Sequence, residues 1–221
     1  MRKLTLLFAS FALCGALFPT AFAATDGPYT TSTPIPSTST DWVSSLTFQQ
    51  FNPALGTLTA VEVDLHGSFD TTITVTNTSP DPSSGTARTE VQFTAQDGGL
   101  NLAPTPQIDL LSGTYAYSLP GGGNVTSPLI STSTSASGTY SAAPILAEFT
   151  GLGTYALPAS TFTQTVLSNT GGNTAASQVT SAGLTGSVTY FYTPVPEPSS
   201  VALLGLGMAS VLAFARRRRS A

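Results

Sequence analysis

The feature that most constrains this chain is a two-residue alternation that returns along its middle. Val61, Val63 and Leu65 are apolar, and Glu62, Asp64 and His66 between them are polar. The pattern recurs with Ile73 and Val75 set among Thr72, Thr74 and Thr76, and with Val91, Phe93 and Ala95 set among Glu90, Gln92 and Thr94. A period of two puts successive side chains on opposite faces of a strand, so each run reads as a half-buried β-strand. Between Thr25 and Thr193 there are 34 Thr and 22 Ser, about a third of the segment. The branched Cβ of Thr suits a pleated, half-exposed surface. Lys, Glu and Arg are scarce there, and Gly and Pro recur as breakers. The expected fold is all-β: an antiparallel β-sandwich, jelly-roll-like or Ig-like, with a hydroxyl-rich outer face. A closed β-barrel is the alternative.

In order, strands are expected at Trp42–Phe51, at 61–66 with Gly67 breaking the run, and at Asp70–Asn77. Further strands are expected at Thr89–Ala95, Ile108–Leu119 and Ser187–Tyr192. Short strands are read at Leu146–Phe149, Gly153–Leu157 and Thr161–Leu167, with Pro158 separating the last pair. Ser131–Ser141, almost all Ser, Thr, Ala and Gly, reads as a polar strand or a loose loop. Loops are expected at Pro80–Gly85 and Asn169–Ala176. Residues 24–40, with Pro28, Pro34 and Pro36, read as an extended lead to a body over 41–194.

Both ends differ from this body. Arg2 and Lys3 precede an apolar run from Leu4 to Phe18, and Ala21-Phe22-Ala23 forms a small-x-small cleavage site. Residues 1–23 thus read as a signal helix, with the mature chain starting at Ala24. Cys14, the one cysteine, leaves with it, so no disulfide is available to the body. At the other end, Pro196-Glu197-Pro198 is followed by an uncharged run from Val201 to Ala215 and by Arg216, Arg217, Arg218 and Arg219. Fifteen helical residues are about 22 Å long, short of the roughly 30 Å hydrocarbon core unless Pro198, Ser199 and Ser200 join in. The four arginines form a cytoplasmic stop, which holds the body on the outer side of the inner membrane. Proline on both sides keeps Glu197 extended. From Ala24 to Pro196 ten acids face the single base Arg88, a net charge near −9. Such a surface repels nucleic acid, which is excluded as a partner.

The tail resembles the PEP-CTERM sorting signal of Gram-negative bacteria, on Pro196-Glu197-Pro198, the apolar run and the terminal Arg cluster, over residues 195–221. The resemblance implies an exosortase as processing partner, a transient stay in the inner membrane through 201–215, and delivery to the cell surface or exterior. The body resembles the choice-of-anchor E domain of bacterial surface proteins, on Phe51–Val61, Thr72–Thr78 and Val188–Pro194. That resemblance implies a surface domain and brings no catalytic residues. Together they imply a non-enzymatic surface or matrix protein associated with extracellular polysaccharide and biofilm. The alternative is a carbohydrate-binding module, with calcium as an aid.

Little in the body suggests reactive chemistry. His66 is the only histidine, with Asp64 two residues away on the same strand face. A Ser-His-Asp hydrolase would have to use both, but no Gly-x-Ser-x-Gly elbow accompanies them. No catalytic residue, metal site or cofactor is assigned. Asp64, Asp70, Asp81, Asp97 and Asp109 are the oxygen ligands a calcium ion would need to gather, and isolated turn aspartates more often form turns. Trp42, Tyr115 and Tyr117 are the aromatics a sugar-stacking module would use. Asn77-Thr78-Ser79 and Asn124-Val125-Thr126 match the N-glycosylation pattern.

Overall fold

The alternating runs belong to long strands. The structure is a computed structural model and describes residues 24–30, 33–95, 108–195 and 198–219. The expected signal segment (1–23), Asp97, Pro196 and Glu197 lie outside the described residues. In chain order the strands are β1 (Ala24–Thr30), β2 (Ile35–Ser39), β3 (Val43–Gln49), β4 (Gly56–Asn77), β5 (Ser83–Ala95) and β6 (Ile108–Leu111). Then come β7 (Tyr115–Leu119), β8 (Asn124–Thr126), β9 (Ile130–Tyr140), β10 (Thr154–Gly171) and β11 (Thr174–Pro194). Helix α1 spans Ala143–Glu148 and α2 spans Pro198–Arg219.

Two antiparallel sheets face each other and neither closes into a barrel. In sheet A, β11 pairs β4 almost end to end, from Thr174 opposite Asn77 to Pro194 opposite Gly56. β1 and β2 pair the other side of β11, and β8 and β9 the other side of β4. The segment read as an extended lead therefore supplies two strands of the sheet. In sheet B, β10 lies between β3 and β5, and β6 and β7 pair β5. Two of the passages between sheets are at 78–82 and 172–173. These connections bond one another: Thr78 N–H donates to Asn173 O at 2.7 Å and Gly172 N–H to Pro82 O at 3.1 Å.

Several expectations change. Gly67 does not end its strand; β4 runs through it, because the Phe93 ring lies where a side chain would stand, 3.1 Å from an ideal Cβ. Pro158 does not separate one strand from the next; β10 is continuous across it. Thr161 N–H points to β3, bonding Trp42 O at 3.1 Å, so position 158 turns its missing N–H toward β5. Among the described residues β5 ends there, opposite Ala159, as a proline at the end of a ladder allows. Leu146–Phe149 is not a strand. It lies in and just after α1, which starts with Pro144 in its first turn and buries Ile145. Ile108–Leu119 divides into β6 and β7. The expected loop at 169–176 shrinks to Gly172–Asn173, and the one at 80–85 ends where β5 starts at Ser83. Ser131–Ser141 resolves as a strand, paired with β4 from Ile130 opposite Thr71 to Tyr140 opposite Val61.

The interior is built from two apolar clusters. The larger contains Leu46, Phe48, Val63, Phe69, Phe93 and Tyr190, and the smaller Ile73, Val75, Ala87, Tyr117 and Leu119. Between them lies a buried hydroxyl layer. Thr71 Oγ1 bonds Thr180 Oγ1 at 2.7 Å and Thr89 Oγ1 at 3.2 Å, and Thr89 donates to Gln178 Oε1 at 2.8 Å. Serines close two strand ends nearby. Ser112 Oγ accepts from Thr89 N–H at 2.9 Å and Ser127 Oγ from Ile73 N–H at 3.0 Å, each standing in for a backbone carbonyl.

Candidate functional site

The chain ends leave the sandwich together. Ala24, the expected first mature residue, is paired with Tyr192 in the β1–β11 ladder. Antiparallel partners lie about 5 Å apart at Cα. The backbone stays fixed as far as Val195, whose N–H donates to Leu55 O at 3.2 Å, one residue before Pro196. Gly56 makes this closure possible, because a Cβ there would overlap Thr193 O and Pro194. Ala24, next to the expected N-terminal cut, and Val195, next in sequence to the Pro196-Glu197-Pro198 motif, therefore lie at one pole of the body.

Beyond that pole, α2 starts at Pro198, as suits a residue with no N–H to satisfy in a first turn. Ser199 and Ser200 are thus in the helix, and its 22 residues extend about 33 Å. Leu206, Met208, Val211, Leu212 and Phe214 are all exposed. At about 100° per residue they spread over roughly 240° of the circumference, too wide for a single apolar stripe to bury on the sandwich. Ser210 Oγ turns back onto Leu206 O at 2.9 Å and Gly207 O at 2.8 Å, which satisfies the hydroxyl within the helix. Arg218 lies 5.0 Å from the Phe214 ring centre. Among the described residues, no helix is long and apolar enough to cross a membrane. The uncharged stretch is fifteen residues, Val201 to Ala215, and four arginines follow directly.

The outer face of sheet A carries the only histidine. Here β11, β4 and β9 set residues in cross-strand rows: Thr189, Glu62, Thr139; Ser187, Asp64, Ser137; Thr185, His66, Ser135; Ser181, Asp70, Ser131. A central line of carboxylates and one imidazole is flanked on both sides mainly by hydroxyls. An open groove of about 410 Å³ sits at its middle, lined by Pro34, Asp64, His66, Ser135, Thr185 and Ser187. His66 Nδ1 is 3.0 Å from Ser135 Oγ. A nucleophile's base takes its proton on one ring nitrogen while a carboxylate holds the other. In this groove the serine occupies Nδ1, and no hydrogen bond joins Asp64 to the ring. His66, Asp64 and a serine do converge, in a different arrangement from a hydrolytic triad.

The remaining candidates are dispersed. Asp64 and Asp70 are on the outer face of β4, Asp81 is in a connection between sheets, and Asp109 is on β6. Among the described residues, no three His, Cys, Asp or Glu side chains come together. Trp42 is half-buried, donates from Nε1 to Ala182 O at 3.1 Å and meets Phe93 edge-on at 6.2 Å. Tyr117 is buried with its hydroxyl on Ser168 O at 3.2 Å, and Tyr115 packs against the smaller cluster. These aromatics do not form a flat exposed platform. Asn77 is buried, its Nδ2 donating to Asp81 O at 2.7 Å and Pro120 O at 3.0 Å, so the first glycosylation pattern is closed to modification in the folded body. Burial also pushes the Tyr140 phenol, at the end of β9, up to about 12. Neither the shared pole nor the hydroxyl rows can be read from the sequence, because both depend on which strands become neighbours.

The fold and the tail together define a class: an antiparallel two-sheet sandwich with a C-terminal sorting segment. Residues 194–219 match the family described as the PEP-CTERM protein-sorting motif. The motif is the signal for exosortase processing, and it indicates export with membrane-associated sorting in Gram-negative bacteria. No curated protein matches the chain. Among solved structures, the chain is aligned with infectious bursal disease virus Gt strain at 10% identity and a TM-score of 0.14, over 95% of this chain and 52% of that one. T=1 particles derived from infectious bursal virus align at 11% identity and a TM-score of 0.13, over 95% and 51%. The chain spans about half the length of those viral chains, and at such scores the likeness carries no argument.

Proposed function

We propose that this chain is a non-enzymatic surface or matrix protein, exported with a signal peptide and released by exosortase cleavage near Glu197. The released body, of the choice-of-anchor E kind, associates with extracellular polysaccharide. The observation that carries the reading is the pairing of Ala24 with Tyr192. Both membrane-directed ends leave the body at one pole, so the signal segment and α2 can enter one membrane together with the sandwich standing outside it. Arg216 to Arg219 then remain on the cytoplasmic side, and Ser199 and Ser200, drawn into α2, add length to the transient inner-membrane segment. A net charge near −9 over residues 24–196, with no lysine among them, favours a neutral, hydroxyl-bearing partner over a polyanion. The Ser/Thr rows of sheet A offer donors and acceptors to such a polymer. Ser135 bonds one ring nitrogen of His66, but among the described residues no carboxylate bonds the ring as a hydrolytic triad requires.

Intact mass of the protein recovered outside its producing cells tests the processing. The expected mass lacks residues 1–23 and those beyond about 196, and Glu197→Ala leaves the tail attached. A mass retaining Val201 to Arg219, found only with inner membrane, overturns the reading. Co-sedimentation with the cells' own extracellular polysaccharide tests the partner; a protein that stays wholly in the supernatant refutes that association.

A further inference from the structure

We infer that β9 is a self-association edge, through which two copies of this chain join sheet A into one continuous antiparallel sheet. β9 pairs β4 over all eleven of its residues with no register shift, and among the described residues nothing pairs its other side. Roughly half of an edge strand's residues direct their N–H and C=O groups away from their neighbour, where another strand can bond them. Folded proteins blunt such edges with short strands, prolines, bulges or charges. The other edge strands here are all shorter, and two carry a further device. β1 and β3 have seven residues, β2 and β7 five, β6 four and β8 three. β1 also contains Pro28 and a register shift between Asp26 and Tyr29, and β2 contains Pro36. β9, Ile-Ser-Thr-Ser-Thr-Ser-Ala-Ser-Gly-Thr-Tyr, has none of these devices and no charge.

The partner that fits is a second copy. An antiparallel pair about a two-fold axis at Ser135 brings every residue from Ile130 to Tyr140 opposite a partner, and it is the one register that uses the whole strand. Ser133 then faces Ser137 of the other copy, and Ser131 faces Thr139. Small hydroxyl side chains oppose one another on the outer face, and cross-strand pairs of this type are favourable. Electrostatics permits the approach although each copy is strongly acidic. Within sheet A the carboxylates beside this edge, Glu62, Asp64 and Asp70, are one strand in from it on β4. Three strand spacings of about 4.8 Å put the two β4 strands roughly 14 Å apart. That exceeds the screening length of about 8 Å at physiological salt. A foreign acidic strand would bring its charge directly against the edge.

The test uses the full chain in mild detergent, with Cys14→Ser so that no other thiol is present. Single substitutions Ser133→Cys, Ser135→Cys and Ser137→Cys are oxidised and analysed for disulfide-linked dimer. Ser84→Cys, exposed on β5 in the other sheet and paired there on both sides, is the control. The expected result is a maximum at Ser135→Cys and little dimer from the control. Sedimentation velocity of the unmodified chain should show a monomer–dimer equilibrium. The pair S133K/S137K sets lysines of the two copies against each other and should weaken the dimer about tenfold, with Trp42 fluorescence unchanged. Monomer at every concentration, equal cross-linking at all four positions, or a dimer that survives S133K/S137K with the fold intact would overturn the inference. The last outcome would assign the association to α2.

Discussion

Thr71→Val keeps side-chain shape and deletes one hydroxyl from the layer between the two apolar clusters. Thr180 then loses its 2.7 Å bond, while Thr89 loses only a 3.2 Å contact and keeps Gln178 at 2.8 Å. Thr180 is buried, so its hydroxyl has little access to water. Leaving such a group unpaired costs roughly 1–3 kcal/mol, so a loss of about 2 kcal/mol is expected for Thr71→Val. Thr180→Val should cost less, about 1 kcal/mol, because Thr71 retains Thr89. The double substitution leaves no orphaned hydroxyl, since Thr89 still donates to Gln178. Replacing both partners with apolar groups of the same shape is close to neutral, so it should fall within about 1 kcal/mol of the parent. The two changes are therefore strongly coupled, with the second rescuing the first. Urea unfolding of the full chain in mild detergent, followed by fluorescence of Trp42, measures all three, and Trp42 is the single tryptophan. Thr71→Ser, which keeps the hydroxyl, should lose less than Thr71→Val. If the single costs add to the double within about 0.5 kcal/mol, the hydroxyls act independently and the reasoning fails.

Ser112→Ala and Ser127→Ala each remove the acceptor of a buried N–H, from Thr89 and Ile73, and each should cost roughly 1–3 kcal/mol in the same urea assay. A Cβ at Gly56 meets Thr193 O and Pro194, so Gly56→Ala should loosen the end of β11. Limited proteolysis should then cut residues 193–195 several-fold faster, with β4–β11 pairing nearer Thr174 still protected by hydrogen exchange. Tyr140, with its phenol raised from 10.0 to about 12, stays protonated in the folded chain at pH values where the unfolded chain has lost that proton. Its contribution to stability is therefore constant below pH 10 and falls as pH rises from 10 to 12. Thermal melts across that window should show a loss that Tyr140→Phe removes.

Fold class is legible because alternation is local. Val61, Val63 and Leu65, Ile73 and Val75, and Val91, Phe93 and Ala95 are buried as their spacing implies. Breaks are less legible, because a Gly or Pro reads as a stop wherever it occurs. Gly67 sits inside β4 to make room for a ring from the other sheet, and Pro158 sits inside β10 where the neighbouring strand has already ended. Both exceptions depend on a partner distant in sequence. The same holds for Leu146–Phe149, too short for a period to separate strand from helix, where Pro144 and the burial of Ile145 favour a helical turn.

The tail is legible for a different reason. Pro196-Glu197-Pro198, the apolar run and the four arginines act as a linear signal, so order and spacing carry the information, and residues 194–219 match the sorting motif. By itself, then, the amino-acid order determines strand periodicity, the hydroxyl-rich character of the surface, its negative charge and its sorting segment, all of which depend on near neighbours in the chain. Packing in three dimensions is what sets Ala24 beside Tyr192, brings Thr71, Thr89 and Thr180 together between two clusters, turns His66 to Ser135, and leaves β9 at an edge. Each joins residues tens of positions apart or more, apart from Thr71 and Thr89, and strand register is set by the packing of both sheets at once.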